Sequence, residues 1–315
     1  MEGDFGLAET TTALSAPRVR ENIERRHVPC NLCGGTETRP FCPENGRSLV
    51  QCVNCGLVYV SPRPDPEELY QLYSESYFNN DDSGTVGYTN YIRDEQNIRK
   101  TFRRRLARVE RFAERGSVLD VGCAAGFFLS EAKARGWTPQ GVDVSQFAVN
   151  YTQKTFDIPA RQGALLDLDF PENSFDLITM WDVIEHVPDP HAHMDKIARM
   201  LKPGGVFALA TPDVDSLPAK LTGKRWVGYK LQEEHVYYFS ADTLRAMLNR
   251  AGLEVVDAYH VGKYVTFDLF FNRLGMYSSI LGRMGTFAER TLKLSERSVY
   301  INPMDIVAVT ARKPA

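Results

Sequence analysis

From Gly116 onward, short apolar runs alternate with amphipathic stretches, and this alternation restricts the fold more than any other feature. Ser117–Val121, Gly141–Val144, Phe175–Met180 and Gly205–Ala210 read as strands. Phe127–Arg135, a stretch opening at Gln146, and residues 192–201 read as the helices between them. Strands joined through helices need right-handed crossovers, so the expected core is a parallel sheet covered on both faces. Ile306–Thr310 is expected to be the last strand, closing the sheet edge. Ligands of such sheets sit at the carboxyl ends of the strands.

The first of those strand ends carries the sharpest local signal, Asp120-Val121-Gly122-Cys123-Ala124-Ala125-Gly126. Glycines after a strand let backbone approach a ligand closely, and the helix that follows offers free N–H groups to an anion. The spacing differs from the dinucleotide G-x-G-x-x-G. Asp143 ends the next strand, where a carboxylate can accept both hydroxyls of a ribose.

Five of the six cysteines lie between Cys30 and Cys55. Cys30-Asn31-Leu32-Cys33 and Cys52-Val53-Asn54-Cys55 are C-x-x-C pairs, each followed by glycine (Gly34, Gly56). Two such turns face to face give four sulfurs in the tetrahedral arrangement that suits Zn²⁺, with Cys30, Cys33, Cys52 and Cys55 as ligands. The competing reading is buried or redox cysteines. A closed four-sulfur site is structural, because no position is left for an activated water. Cys42 fits a small core better than a fifth ligand, and Gly46–Gln51 reads as part of a short hairpin.

With 315 residues, 43% of them apolar and 24% charged, the chain is ordinarily globular and long enough for a large domain with an appendage. Its net charge of −3 speaks against sequence-independent nucleic-acid binding, which needs a strong positive field. A local basic face exists on the helix expected over 92–115: Arg99, Lys100, Arg103, Arg104, Arg105, Arg108, Arg111 and Arg115 lie opposite Ile98, Phe102, Leu106, Val109 and Phe112. A solvated face and a phosphate- or RNA-binding stripe are the two readings. No apolar run suggests a membrane span, and the acidic N-terminus is unlike a secretory signal, so a cytoplasmic protein is expected. The expected organisation is a disordered arm over 1–26, a zinc ribbon over 27–62, a helical linker or lid over 63–97 and a sheet domain over 98–315. Cap insertions are expected at 212–234 and 261–298.

VLDVGCAAGFFL, GVDVS, FPENSFDLITMWDVIEHVPDP and RMLKPGGVFALATP together resemble the class I S-adenosylmethionine-dependent methyltransferases, over residues 98–260. The resemblance implies a Rossmann-like α/β fold, a seven-stranded mostly parallel sheet, with the zinc ribbon and a helical, aromatic substrate cap added. It implies that Asp120, Gly122, Ala124 and Gly126 cradle the methionine part of the cofactor, that Asp143 holds the ribose and that Val144 packs on adenine. Relatives often place an acid after the third strand to meet the adenine amino group. Ala164 stands at that point here, which leaves backbone, or Asp167 in a shifted register. Trp181 and Asp182 would line the cofactor mouth. The whole chain looks like a bacterial subgroup with an N-terminal ribbon, whose members often modify sugars, polysaccharide precursors or secondary metabolites.

Methyl transfer asks the protein mainly to align a nucleophile with the methyl group, and asks for a base only if the acceptor must lose a proton. Glu185 and His186 follow the fourth strand, and His235, after Glu234, precedes a helix opened by Ser240. These three are the candidate catalytic or acceptor-side residues; a divalent metal among them is not forced by any spacing. His191 and His193 are expected on an exposed helix start, and His27 and His260 have no evident partner. The aromatic stretch 261–298 has three readings: a packed cap, a lid over an apolar or aromatic small-molecule acceptor, or a membrane-surface helix, against which Asp268 and Arg273 speak. Rival readings are an RNA methyltransferase, with residues 99–115 and the ribbon as its footprint, and a non-catalytic cofactor-binding scaffold. Oligomeric state is not encoded in any feature of the sequence read here.

Overall fold

The computed structural model describes residues 25–44, 47–65, 91–230, 235–267, 269–271, 275, 285 and 297–315. The expected arm lies outside the described residues except at its end, where Arg26 and Arg63 pair their backbones as an antiparallel bridge. The expected linker helix and loop over 66–90 also lie outside them, as do Glu234 and most of the expected cap over 261–298.

Three short strands build the N-terminal unit: β1 (Thr38–Glu44), β2 (Arg47–Cys52) and β3 (Val58–Val60), all antiparallel. Each C-x-x-C folds into a tight turn in which the glycine amide donates back to the first cysteine carbonyl, Gly34 to Cys30 at 2.8 Å and Gly56 to Cys52 at 3.0 Å. Both glycines take positive φ, +75° and +79°, which is why glycine stands there.

The second unit opens with α1 (Glu95–Val109), so the expected boundary at 98 falls inside a helix. The helix is shorter than the expected 92–115. It stops at Glu110, whose carboxylate accepts from Arg115, Arg135 and the indole of Trp137. There follow β4 (Ser117–Val121), α2 (Phe127–Ala134), β5 (Thr138–Asp143), α3 (Gln146–Phe156) and β6 (Ala160–Gln162). Then come β7 (Phe175–Trp181), α4 (Pro190–Met200) and β8 (Leu201–Pro212). Short helices α5 (Leu217–Thr222) and α6 (Val227–Lys230) lead to β9 (Tyr237–Tyr238) and α7 (Ala241–Arg250). The chain ends with β10 (Glu254–His260), β11 (Lys263–Thr266), β12 (Ser298–Ile301) and β13 (Ile306–Arg312).

Seven of these strands form one sheet in the order β10-β13-β8-β7-β4-β5-β6. β13 is antiparallel to both of its neighbours, and the pairs from β6 to β8 are parallel. The last strand therefore does not close the edge as expected. It inserts between β8 and β10 and pairs antiparallel with both. Ala308, Val309 and Ala311 are buried there.

Two further departures bear on the site. β9 pairs with β3, Val58 opposite Tyr238, so a strand from the second unit completes the ribbon sheet β1-β2-β3-β9. The insertion over 212–230 packs on that sheet: buried Trp226 shares a cluster with Leu49, Val58, Val60 and Tyr238, and its indole donates to Asp305. The arginine face over 99–115 is solvated in part, with Arg103, Arg104, Arg111 and Arg115 exposed, and much of it is engaged by acidic or aromatic partners. Arg99 and Arg103 converge on buried Glu131, Arg108 grips Asp257 with two hydrogen bonds, and Arg104 lies over Tyr300. Arg105 is 1% exposed and pairs with Asp182 at 3.1 Å.

Gly126 and Gly136 separate two costs of a side chain. Both have positive φ, +75° and +87°, but only a Cβ at Gly126 would meet anything, Thr152 Oγ1 at 2.6 Å. Gly136→Ala should cost about 1–2 kcal/mol from backbone alone. Gly126→Ala should cost about 1–3 kcal/mol more from overpacking. Urea denaturation of both variants measures the difference; equal losses would mean that Thr152 yields freely.

Candidate functional site

A cavity of about 160 Å³ opens at the carboxyl ends of β4, β5 and β7. Its floor is the turn after β4. Gly122 has φ +73° and Ala124, unusually for a residue with a Cβ, +46°. A side chain on Gly122 would strike Val183 at 2.5 Å, so the turn can close on the β7 loop only with glycine there. Gly126 lies outside the lining. It caps α2 and lets the turn sit against Thr152.

Two carboxylates organise this floor. Asp143, buried at the end of β5, accepts from the amide of Ala124 at 2.8 Å and that of Ser145 at 2.9 Å. Burial raises its pKa, and those two amides oppose the rise. Asp120, also buried, accepts from Thr179 Oγ1 at 2.6 Å; burial lifts its pKa well above the usual carboxylate range.

The wall beyond β6 is Gly163, Ala164 and Leu165. Asp167 does not reach the cavity. The chain tightens into a 3₁₀ turn over Leu165–Asp167, and the carboxylate ends up exposed. Trp181 and Asp182 also line the cavity, together with Tyr91 and Phe102. Asp182 sits at φ +57° and bridges to Arg105 and to Lys263 at 3.2 Å. Burial acts to raise its pKa, but Lys263 and Arg105 outweigh burial and bring it down to about 2.

The three expected catalytic residues are brought together, their ligating atoms within 4.8 Å of one another. They are not equivalent. His186 lines the cavity, whereas Glu185 and His235 are buried behind it. The His186 and His235 rings meet edge to face at 4.4 Å between centroids, and His235 Nε2 lies 3.7 Å from Glu185 Oε1. His235 is 1% exposed and is not among the residues that line the cavity. Burial first, and then the charge of Asp182, push the Glu185 carboxyl up to about 8.

The ribbon holds this group in place. The amides of Val236 and Tyr237 both donate to the carbonyl of Glu185, at 2.9 and 3.1 Å, while Val60 donates to Val236. Arg63 and the hydroxyl of Tyr237 both donate to the carbonyl of Pro188, and Asn31 donates to Asp189. In the ribbon itself the sulfurs of Cys30, Cys33, Cys52 and Cys55 lie within 4.8 Å of one another, with Cys30–Cys55 at 3.4 Å and Cys33–Cys52 at 3.5 Å. A tetrahedral ion about 2.3 Å from each sulfur would place the sulfurs roughly 3.8 Å apart, so the donor set and the spacing fit.

Four histidines depart from expectation, the first being His27, whose Nδ1 lies 3.4 Å from the hydroxyl of Ser61. His193 is not at an exposed helix start: it is 2% exposed and lines the cavity, because α4 turns its first face inward. His191 is half-buried, and its amide is held by Asn31. His260 does have a partner, Asp213 Oδ2 at 2.9 Å, from a strand end 47 residues away. The His260–Asp213 pair left no local signal because topology sets it, whereas His193 meets the carbonyl of Asp189 four residues earlier and is buried by the docking of its helix.

Residues 92–258, just over half the chain, match a family model described as a methyltransferase domain. An S-adenosylmethionine-dependent methyltransferase of Mycolicibacterium smegmatis is 29% identical over 164 residues, which cover 51% of this chain and 62% of that protein. The ubiquinone biosynthesis O-methyltransferase of Pseudomonas entomophila is 39% identical over 102 residues, 30% of this chain and 43% of that protein. The chain therefore spans less than two thirds of either relative. The crystal structure of a methyltransferase from Bacillus halodurans shares the fold at a TM-score of 0.51 and 18% identity, covering 68% of this chain and 99% of that one.

Glu185 gives a pH signature. Unfolded, its carboxyl titrates near 4.5; folded, near 8. Between those values the unfolded chain is ionised while the folded carboxyl keeps its proton, so this group's contribution to stability falls as pH rises through the window. Glu185→Gln removes that loss. The melting temperature of the variant should gain on the wild type from about pH 4.5 to about pH 8 and then level off. A difference that stays flat with pH would contradict the assignment.

Proposed function

Since the chain belongs to the methyltransferase-domain family, we propose that it transfers a methyl group from S-adenosylmethionine to a small-molecule acceptor. The observation that carries this reading is the left-handed turn Gly122–Ala124, tied by hydrogen bond to buried Asp143 on the next strand and opening into the cavity. When bound, the cofactor supplies a sulfonium methyl, an electrophile that needs no activation by the protein.

The chain's own residues bind and align. The backbone of Gly122, Cys123 and Ala124 faces the methionine part. Asp143 has spent one lone pair per oxygen on amides and keeps acceptor capacity for ribose hydroxyls. Val144 offers apolar contact to the adenine. His186, at the cavity wall, takes a proton from an acceptor hydroxyl, and Glu185 and His235 fix its position from behind. Tyr91, Phe102 and Trp181 give the cavity aromatic walls suited to an apolar or aromatic acceptor. Acceptors in this class include sugars, polysaccharide precursors and secondary metabolites, and the ubiquinone-pathway relatives make O-methylation the first chemistry to try. The engagement of Arg99, Arg103, Arg105 and Arg108 with acidic partners supports a small acceptor over RNA. The setting proposed is the cytoplasm; no described helix is long and apolar enough to cross a membrane.

We also propose that Cys30, Cys33, Cys52 and Cys55 hold one structural Zn²⁺. Elemental analysis should find one zinc per chain. Cys52→Ser should lose it and lower the melting temperature, and a metal-free wild type with an unchanged melt would refute the site.

The catalytic reading is tested with tritium-labelled S-adenosylmethionine and an extract of the source organism, sorted into small-molecule, nuclease-sensitive and protein pools. Label is expected in the small-molecule pool. His186→Ala should lower the rate by about 10²-fold or more, as for loss of a general base. Label confined to the nuclease-sensitive pool, or no binding of S-adenosylhomocysteine by zinc-loaded protein, would overturn it.

A further inference from the structure

The wall formed by Gly163, Ala164 and Leu165 has no side-chain acceptor of its own, and Asp167 turns away into solvent. Helix α4 packs on that turn. Lys196 donates to the carbonyls of Leu166 and Leu168, at 3.2 and 2.6 Å, which fixes the helix against it. His193 lies three residues earlier on the same helix face and lines the cavity.

The protonation of His193 follows from its partner. Its Nδ1 lies 2.7 Å from the backbone carbonyl of Asp189. A carbonyl can only accept, so Nδ1 carries the hydrogen. In a neutral ring Nε2 is then a bare acceptor. Burial lowers the pKa of His193, which keeps the ring neutral, while the Asp189 carbonyl acts the other way.

We propose that His193 Nε2 accepts a hydrogen bond from the exocyclic amino group of the cofactor's adenine, in place of the acid that Ala164 replaces. This rests on the S-adenosylmethionine reading of the cavity. Among the other cavity-lining carboxylates, Asp120 is held by Thr179, Asp182 by Arg105 and Lys263, and Asp143, bonded to two amides, is the group assigned above to the ribose. His193 lines the same cavity as this wall, on a helix tied to the Leu165–Asp167 turn, and its Nε2 is an acceptor a purine amine could meet. It is a specificity residue: a purine with a carbonyl oxygen in place of the amine would set acceptor against acceptor.

The test compares S-adenosylhomocysteine with S-inosylhomocysteine, its deaminated analogue, by calorimetry on the full-length, zinc-loaded protein. Wild type should favour the adenine ligand by about tenfold or more, the scale of one lost buried hydrogen bond. His193→Ala should erase most of that preference, and His193→Gln, which keeps an acceptor, should restore part of it. With ¹⁵N-histidine in unaltered protein, the His193 Nε2 resonance should shift on adding S-adenosylhomocysteine and stay put with the inosine analogue. An unchanged preference in a folded His193→Ala protein, or an Nε2 resonance indifferent to both ligands, would overturn the proposal and assign the amine to backbone. Failure of wild type to bind S-adenosylhomocysteine at all would instead overturn the cofactor reading itself.

Discussion

The carboxylate of Asp143 is the point on which the cofactor face of this protein depends. Its two oxygens take the amides of Ala124 and Ser145, so one side chain joins the turn after β4 to the start of α3. Ala124 carries a Cβ in a left-handed conformation that costs roughly 1–2 kcal/mol. A charge-assisted bond of about 1.5–3 kcal/mol is of the right size to hold it there. The same carboxylate lines the cavity, so under the cofactor reading proposed above the group that shapes the turn would also meet the ribose. Pre-organisation of this kind lowers the ordering cost at the moment of binding.

Another part of the cavity wall is organised by a buried charge. Arg105 sits in the core of the α1 side against Trp181 and reaches Asp182, which also takes Lys263. An unpaired guanidinium there would be costly, so α1, the end of β7 and the start of β11 are committed to one mutual position. The charge of Asp182 in turn bears on Glu185, already disfavoured as an anion by burial, and keeps that carboxyl protonated. One surface helix thereby influences the protonation of a group behind the cavity wall.

Much of this was legible in the chain. Alternating runs gave the strands and crossover helices, because burial on both faces leaves a continuous apolar signature. Paired C-x-x-C turns located the sulfur cluster, and Ser240 announced α7, where the structure shows a reciprocal capping box with Thr243. What escaped was set by encounters between distant segments. β9 is two residues long, too short for any period, and exists because β3 offers it an edge. The acidic partners of the α1 arginines escaped because Glu131, Asp182 and Asp257 are far away in sequence. The order of β13 and β10 is a packing outcome that their composition does not record. His193 read as surface because its neighbours, His191 and Asp195, are partly exposed, and only the docking of α4 turned it inward.

The sharing of β9 sets a limit on how this protein can be divided or recombined. The four-stranded ribbon sheet takes its last strand from the middle of the larger unit, and the loop bearing Glu185 and Pro188 is fastened to that strand. The ribbon is therefore not a detachable cassette. A chimera joining it to another sheet domain would have to carry 185–191 and 235–239 along with the cysteine turns. A lineage that discarded the ribbon would have to find new support for the 185–188 loop beside the cavity at the same step.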